Sequence, residues 1–161
     1  MNVRTRAHAY RTQLTWTGAA QGGTSSYAAY SRAHRIAFEG KPSLEGSADP
    51  TFRGDAAAYN PEELLVASLS ACHMLSYLAV CALGGVEVVA YADAAVGTME
   101  DKGGAGRFTS TVLRPHVTIS RGDLEKAREL HHAAHDQCFI AASVNFPVDV
   151  EPLVEHAEGA R

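Results

Sequence analysis

From Leu64 to Val86 the chain carries no Asp, Glu, Lys or Arg, and apolar residues fall on every side of a helix drawn through it. Such a helix either crosses a membrane, for which about 20 residues suffice, or is buried in protein on all faces. Ser68, Ser70, His73, Ser76 and Tyr77 interrupt the run, and its Lys/Arg flanks are nearly bare; both features favour burial in protein over a membrane span. The boundaries are well marked. Asn60 is a good N-cap, Pro61 suits the first helical position, and Glu62 and Glu63 complement the positive end of the helix dipole. Gly84-Gly85 stops the helix. Burying it on every side is difficult for one small chain, which points to a dimer wrapped around it.

Elsewhere the pattern has other periods. Residues 8–17 alternate as a half-buried strand does, a turn at Gly18, Gly22 and Gly23 follows, and Tyr27 to Phe38 read as a second strand. Gly40 to Tyr59, with Pro42, Gly46, Pro50 and Gly54, reads as loop. Val86–Met99 and Arg107–Ile119 read as two strands of a hairpin joined by Asp-Lys-Gly-Gly-Ala-Gly. Leu113, Val117 and Ile119 share one face of the second, and Pro115 marks an edge or a bulge. Asp123 caps a second helix in which Leu124, Ala127, Leu130 and Ala134 recur at helical spacing. Val144, Phe146, Val148 and Val150 alternate with polar residues in a final strand. The order implies an α+β fold with mainly antiparallel sheets.

Composition narrows the class. A length of 161 residues fits a single domain over 1–161, with a core of about 8–152 and a frayed acidic tail, 153–161. Hydrophobic residues at 46% and charged residues at 20% exclude a disordered chain. A net charge of −4 argues against a nucleic-acid partner. No apolar run follows the basic residues of Met1 to Arg11, so no signal peptide is expected. Three cysteines are too few for a disulfide-stapled secreted scaffold.

Those cysteines are the first candidates for chemistry. Cys72 lies inside the apolar helix, Cys81 nine residues later on its opposite side, and Cys138 at the end of the second helix. Cys72 and Cys81 therefore cannot pair within one helix. Either Cys72 and Cys138 form a redox pair, or all three are small buried hydrophobes. His131, His135 and Cys138 at i, i+4 and i+7 offer a second reading, as partial zinc ligands lacking a recognisable fourth. The glycines at 103, 104 and 106 lack the strand–loop–helix setting of a phosphate cradle.

The segment Asn60-Pro61-Glu62-Glu63-Leu64-Leu65 followed by Ser70-Ala71-Cys72 resembles the central helix of the OsmC/Ohr family, the osmotically inducible protein C and organic hydroperoxide resistance proteins. Cys138 after a short helix, followed by Ser143-Val144-Asn145-Phe146-Pro147-Val148, resembles that family's second cysteine and last strand. The resemblance spans about residues 10 to 152. It implies an OsmC-like fold, with antiparallel sheets wrapped around a long buried helix in an intertwined homodimer. It also implies a thiol peroxidase acting on organic hydroperoxides in oxidative-stress defence, without haem, flavin or metal, reduced by an external thiol or dithiol such as a lipoylated protein. The implied location is cytoplasmic, with no nucleic-acid or membrane partner. Cys72 matches the peroxidatic cysteine, Cys138 the resolving cysteine, and Glu62 the glutamate that holds an active-site arginine. Arg53 best resembles that arginine, with Arg32 as the fallback. His73 departs from the small or aromatic residue that follows the cysteine in better-known members.

The resemblance fits the chemistry such a site needs. The thiolate is the nucleophile, and a free thiol is mostly protonated at neutral pH. A guanidinium held in a bidentate pair by Glu62 would favour the thiolate and bind the peroxide. Ten residues of straight helix separate Glu62 from Cys72, about 15 Å at 1.5 Å per residue. One arginine does not easily bridge that length, so the expected site is shared across the dimer, Cys72 and Cys138 from one chain meeting Arg53 and Glu62 of the other. A non-enzymatic small-molecule or lipid-binding protein on the same fold is the competing reading.

Overall fold

Asn60 caps the long helix in both directions. Its Oδ1 accepts from the Glu63 backbone N–H at 2.8 Å, and its own N–H donates to Glu63 Oε2 at 3.3 Å, a reciprocal capping box. A computed structural model describes residues 6–21 and 23–159; Gly22, part of the expected first turn, lies outside them. The helix, α1, runs from Pro61 to Gly84 and ends where expected. Gly85 takes φ of 76°, and the Val86 N–H reaches back to the Cys81 carbonyl at 2.9 Å, closing the helix with a left-handed glycine. The chain divides into two units between Leu64 and Leu65.

The first unit carries a three-stranded antiparallel sheet, in the order β1 (Gln13–Trp16), β2 (His34–Phe38), β3 (Lys41–Gly46). The strand expected over Tyr27–Phe38 is shorter, because residues 27–33 turn instead. β3 arises inside the stretch read as loop. Gly40, with φ of 70°, makes the turn that folds β3 back on β2, and Pro42 does not prevent pairing in a strand with only one neighbour.

The second unit contains most of α1, the helix α2 (Leu124–Asp136) and two sheets. The two long strand-like runs are each broken in the middle. The first gives β4 (Glu87–Asp93) and β5 (Val96–Lys102), the second β6 (Ala105–Leu113) and β7 (Pro115–Arg121). β5 and β6 form the expected hairpin, turning at Gly103-Gly104 with φ of 68° and 83°. β4 pairs with β7 in a different sheet. Pro115 thus marks a switch between sheets. Asp93 holds the corner from the facing strand, its Oδ1 accepting from the Arg114 N–H at 2.7 Å and its Oδ2 from Ser70 Oγ at 2.5 Å.

Two short strands complete the sheets in parallel. β8 (Val148–Val150) adds to β6 and β9 (Leu153–His156) to β7. The final strand is therefore shorter than expected over 144–150. The tail expected to fray from residue 153 is ordered into β9, because Val154 buries its side chain to 2% exposure in the core. That core joins Tyr77, Val80 and Cys81 of α1 to Val86, to Val117 and Ile119 of β7, to Ala127 and Ala134 of α2, and to Val154. Each large aliphatic side chain enclosed there contributes roughly 1.5–3 kcal/mol of transfer free energy. Asp123 caps α2 as expected, accepting from the Lys126 N–H at 2.8 Å.

Within one chain α1 is not buried all round. By length and composition it is apolar enough to cross a membrane, with a mean hydropathy of 1.8 over a stretch of which 28% is buried. Leu69, His73, Tyr77, Val80 and Cys81 face inward. Ala67, Ala71, Leu75, Ala79 and Leu83 form an exposed stripe at intervals of four, with Leu75 at 63% and Leu83 at 89% exposure.

Candidate functional site

Cys72 and Cys138 come together in the second unit. Cys72 is half-buried on α1, and Cys138, buried, follows the Gln137 C-cap of α2. The backbone fixes Cys138 firmly: its N–H donates to the His135 carbonyl at 3.0 Å, and its carbonyl accepts from the Ala142 N–H at 3.0 Å. Burial pushes the Cys138 thiol up. A hydrogen bond to Cys72 and the Cys72 charge add to that, while the Ala141 and Ile140 backbone N–H groups oppose it. Cys138 is thus a protonated thiol in the neighbourhood of Cys72. All three cysteines are free. Cys81 sits in the apolar core, where burial raises its thiol too.

Glu62 lies in the first unit, at the mouth of α1. It lines a cavity of about 460 Å³ with Trp16, Tyr30, Arg32, His34 and Phe52. Its Oε2 is buried with no hydrogen-bond partner. The arginine in this cavity is Arg32. Its guanidinium donates to the carbonyls of Tyr30 at 2.6 Å and Tyr27 at 2.8 Å, and lies 4.0 and 4.4 Å from the centroids of their rings, a cation–π clamp. Arg53, the first choice from sequence, is exposed and is not among the residues lining the cavity. It ends a short 3₁₀ turn in a left-handed conformation, φ 64°. Among the described residues no ion pair joins either arginine to Glu62. The expected Arg53–Glu62 clamp is therefore not formed within this chain.

The residues of the zinc reading are not drawn together as one ligand set. His131 Nδ1 meets His73 Nε2 at 3.0 Å, and Cys138 neighbours Cys72. No three His, Cys, Asp or Glu side chains are grouped to hold a metal among the described residues. What the sequence reading missed is the histidine pair itself. His73 and His131 are 0% and 3% exposed, their rings nearly parallel at 9°, and His131 stacks on Tyr77 with centroids 3.8 Å apart. Burial is the main cause pushing both imidazoles down, His73 to about 4 and His131 to about 3, with the charge of His135 acting on the first and that of His73 on the second. The signal was present in the chain: each histidine falls on its helix's inward stripe, with Leu69 and Tyr77 on α1 and with Ala127 and Ala134 on α2.

Comparison with known proteins bears on the family and the fold. The family model described as OsmC-like protein matches residues 54–152. An OsmC-like protein of unknown function from Vibrio cholerae is 34% identical, with a TM-score of 0.82, over 91% of this chain and 100% of that one. An organic hydroperoxide resistance protein OsmC from Legionella pneumophila is 18% identical, with a TM-score of 0.65, over 94% of this chain and 99% of that one. An organic hydroperoxide resistance protein from Elizabethkingia anophelis, with thiocyanate bound, is also 18% identical at a TM-score of 0.65, over 96% and 100%. No curated protein gives a match.

Proposed function

We propose, from the premise that this chain belongs to the OsmC-like protein family, that it is a thiol-dependent peroxidase reducing organic hydroperoxides to alcohols. The observation that carries the reading is the meeting of Cys72 and Cys138, one half-buried and one buried and protonated, across the end of α2. In the proposed cycle the Cys72 thiolate attacks the terminal oxygen of the hydroperoxide. The O–O bond breaks, the alkoxide takes a proton and leaves as alcohol, and Cys72 becomes a sulfenic acid. The Cys138 thiol then displaces the sulfenic hydroxyl as water, closing a disulfide. Two electrons from an external thiol or dithiol restore both cysteines; no resident cofactor takes part in this scheme.

The arginine assigned to the site is Arg32 in place of Arg53, because Arg32 shares the cavity of Glu62 and is held by two tyrosine carbonyls and two rings. Glu62, with its unpartnered Oε2, would accept from the guanidinium when substrate draws it in. The exposed stripe on α1 supports a homodimer in which a second copy covers Leu75 and Leu83 and completes the burial of the helix.

The aromatic cavity in the first unit also suits a non-enzymatic small-molecule or lipid binder, and one assay separates the two readings. Coupled turnover of cumene hydroperoxide with dihydrolipoamide should run in the wild type and vanish in Cys72→Ser. Cys138→Ser should complete one turnover and then over-oxidise at Cys72, seen as a gain of 32 or 48 Da by mass spectrometry, roughly two or three oxygens on the oxidation ladder. Turnover that persists without Cys72 would remove the peroxidase reading.

A further inference from the structure

We propose, resting on the thiol cycle above, that His73 and His131 are its positioning residues: their contact sets how closely α2 brings Cys138 to Cys72, and so how readily the pair closes a disulfide.

Backbone placement decides whether the two cysteines can bond. Cys72 directly precedes His73 on α1. Cys138 is tied to the end of α2, its N–H donating to the His135 carbonyl at 3.0 Å and its carbonyl accepting from the Ala142 N–H at 3.0 Å. The approach of the two sulfurs is therefore the approach of two helices. A disulfide tolerates little error there, since its Cα atoms must lie within about 4.4–6.8 Å of each other.

Three polar contacts join these helices beside the thiols and beyond them. His73 Nε2 and His131 Nδ1 meet at 3.0 Å, one ring donating and the other accepting. Ser76 Oγ donates to the carbonyl of Gln137, the residue before Cys138, at 3.5 Å. Farther from Cys138, the Tyr77 hydroxyl donates to the Ala127 carbonyl at 3.0 Å. The histidine contact starts from the neighbour of Cys72 and is fully enclosed, at 0% and 3% exposure.

For stability alone a histidine pair is a poor choice. His73 Nδ1 and His131 Nε2 are sealed without partners, and buried polar atoms left bare are costly. Two apolar side chains of similar volume would avoid that cost. Apolar helix faces, however, pack acceptably at more than one register, whereas a buried polar contact is satisfied at only one. The stack of His131 on Tyr77, with centroids 3.8 Å apart, holds its ring in plane for that contact. Departures from apolar packing of this kind concentrate at functional sites.

The test is the equilibrium of the full-length protein with a glutathione redox buffer. Glutathione disulfide takes two electrons from the thiols, leaving two glutathione thiols and the Cys72–Cys138 disulfide. Alkylation of the remaining thiols and peptide mass spectrometry give the fraction closed. His131→Phe keeps the stack on Tyr77 and removes the hydrogen bond; it should lower the equilibrium constant about tenfold, or about 30 mV for this couple. His73→Leu should do the same, and His73→Gln, whose amide reaches the place of Nε2, should recover most of the loss. Tyr77→Phe gives up a buried hydrogen bond whose acceptor lies eleven residues before Cys138. It should lose comparable stability in urea yet stay within about twofold of wild type in the thiol equilibrium, as distant sites do. Equal constants in His131→Phe and wild type would overturn the proposal. So would a shift in Tyr77→Phe as large as that in His131→Phe, or no recovery in His73→Gln. Absence of the Cys72–Cys138 disulfide in the wild type would overturn it together with the thiol cycle. No hydroperoxide enters this measurement, so a chain that shows the expected shifts yet fails to consume cumene hydroperoxide keeps the positioning pair and loses only the peroxidase reading.

Discussion

Lowering the pH should unfold this protein through His73 and His131 well before its carboxylates titrate. Both imidazoles are neutral in the folded chain, held near 4 and near 3 chiefly by burial, whereas in the unfolded chain both titrate near 6.5. Above pH 6.5 neither state binds a proton at these residues and the pair contributes no pH dependence. Below it the unfolded state takes up protons that the folded state refuses, so stability falls with pH, by about 1.4 kcal/mol per unit for each histidine. The loss levels off only as pH passes through the folded values. At pH 5 the pair together costs about 4 kcal/mol, a large share of the 5–15 kcal/mol typical of a domain. Urea unfolding followed by circular dichroism at pH 7.5 and pH 5, in buffer free of phosphate and carboxylate, measures this directly. The double variant His73→Leu/His131→Phe keeps the stack on Tyr77 without a titrating ring, and its stability should change far less between the two pH values. A wild-type loss below about 1 kcal/mol, or an equal loss in the double variant, would refute the argument.

Three further outcomes follow from the same geometry. Arg32→Gln should lower kcat/KM for organic hydroperoxide by tenfold or more, on the order of one charge-assisted contact, and more than Arg53→Gln does; the opposite order in a coupled assay would return the site to Arg53. Leu75→Glu, in the middle of the exposed α1 stripe, should convert a dimer to monomer in sedimentation velocity, and an unchanged sedimentation coefficient would remove that stripe from the interface. Asp123→Ala removes the cap on the Lys126 N–H and should cost about 1 kcal/mol in denaturant unfolding; a change of a few tenths or less would mean the helix start is held by packing alone.

The helix boundaries were legible because capping is local chemistry. Asn60, Pro61 and Asp123 act on N–H groups within three residues, and Gly85 on the turn it closes. The sheets were less so. Nothing within reach of Ala94 or Pro115 says that a continuous apolar alternation passes from one sheet to another, since the decision depends on which distant strand pairs with each half. β9 was missed for the same reason: Leu153–His156 has little pattern of its own and becomes a strand because β7 offers an edge. The proposed site divides similarly. Cys72, Cys138 and Glu62 could be picked out by motif, but the proposal of Arg32 in place of Arg53 rests on the tyrosine carbonyls and rings around Arg32, which no spacing encodes. His73 was visible as a departure from pattern, while its partner lay 58 residues away.

The order in which the second unit is synthesised gives β9 a particular weight. β7 occupies the middle of its sheet, with β4 on one side and β9 on the other, and Val154 fills a core whose other members all precede it by at least 20 residues. A nascent chain stopped at Asp149 could already have made both helices and the β5–β6 hairpin, yet it would leave one edge of β7 open and the Arg128 contact at Val154 unmade. Closure of this unit therefore waits until residue 156 has cleared the ribosome. Until then the half-finished sheet exposes a free strand edge, the kind of surface on which chaperones and aggregation compete.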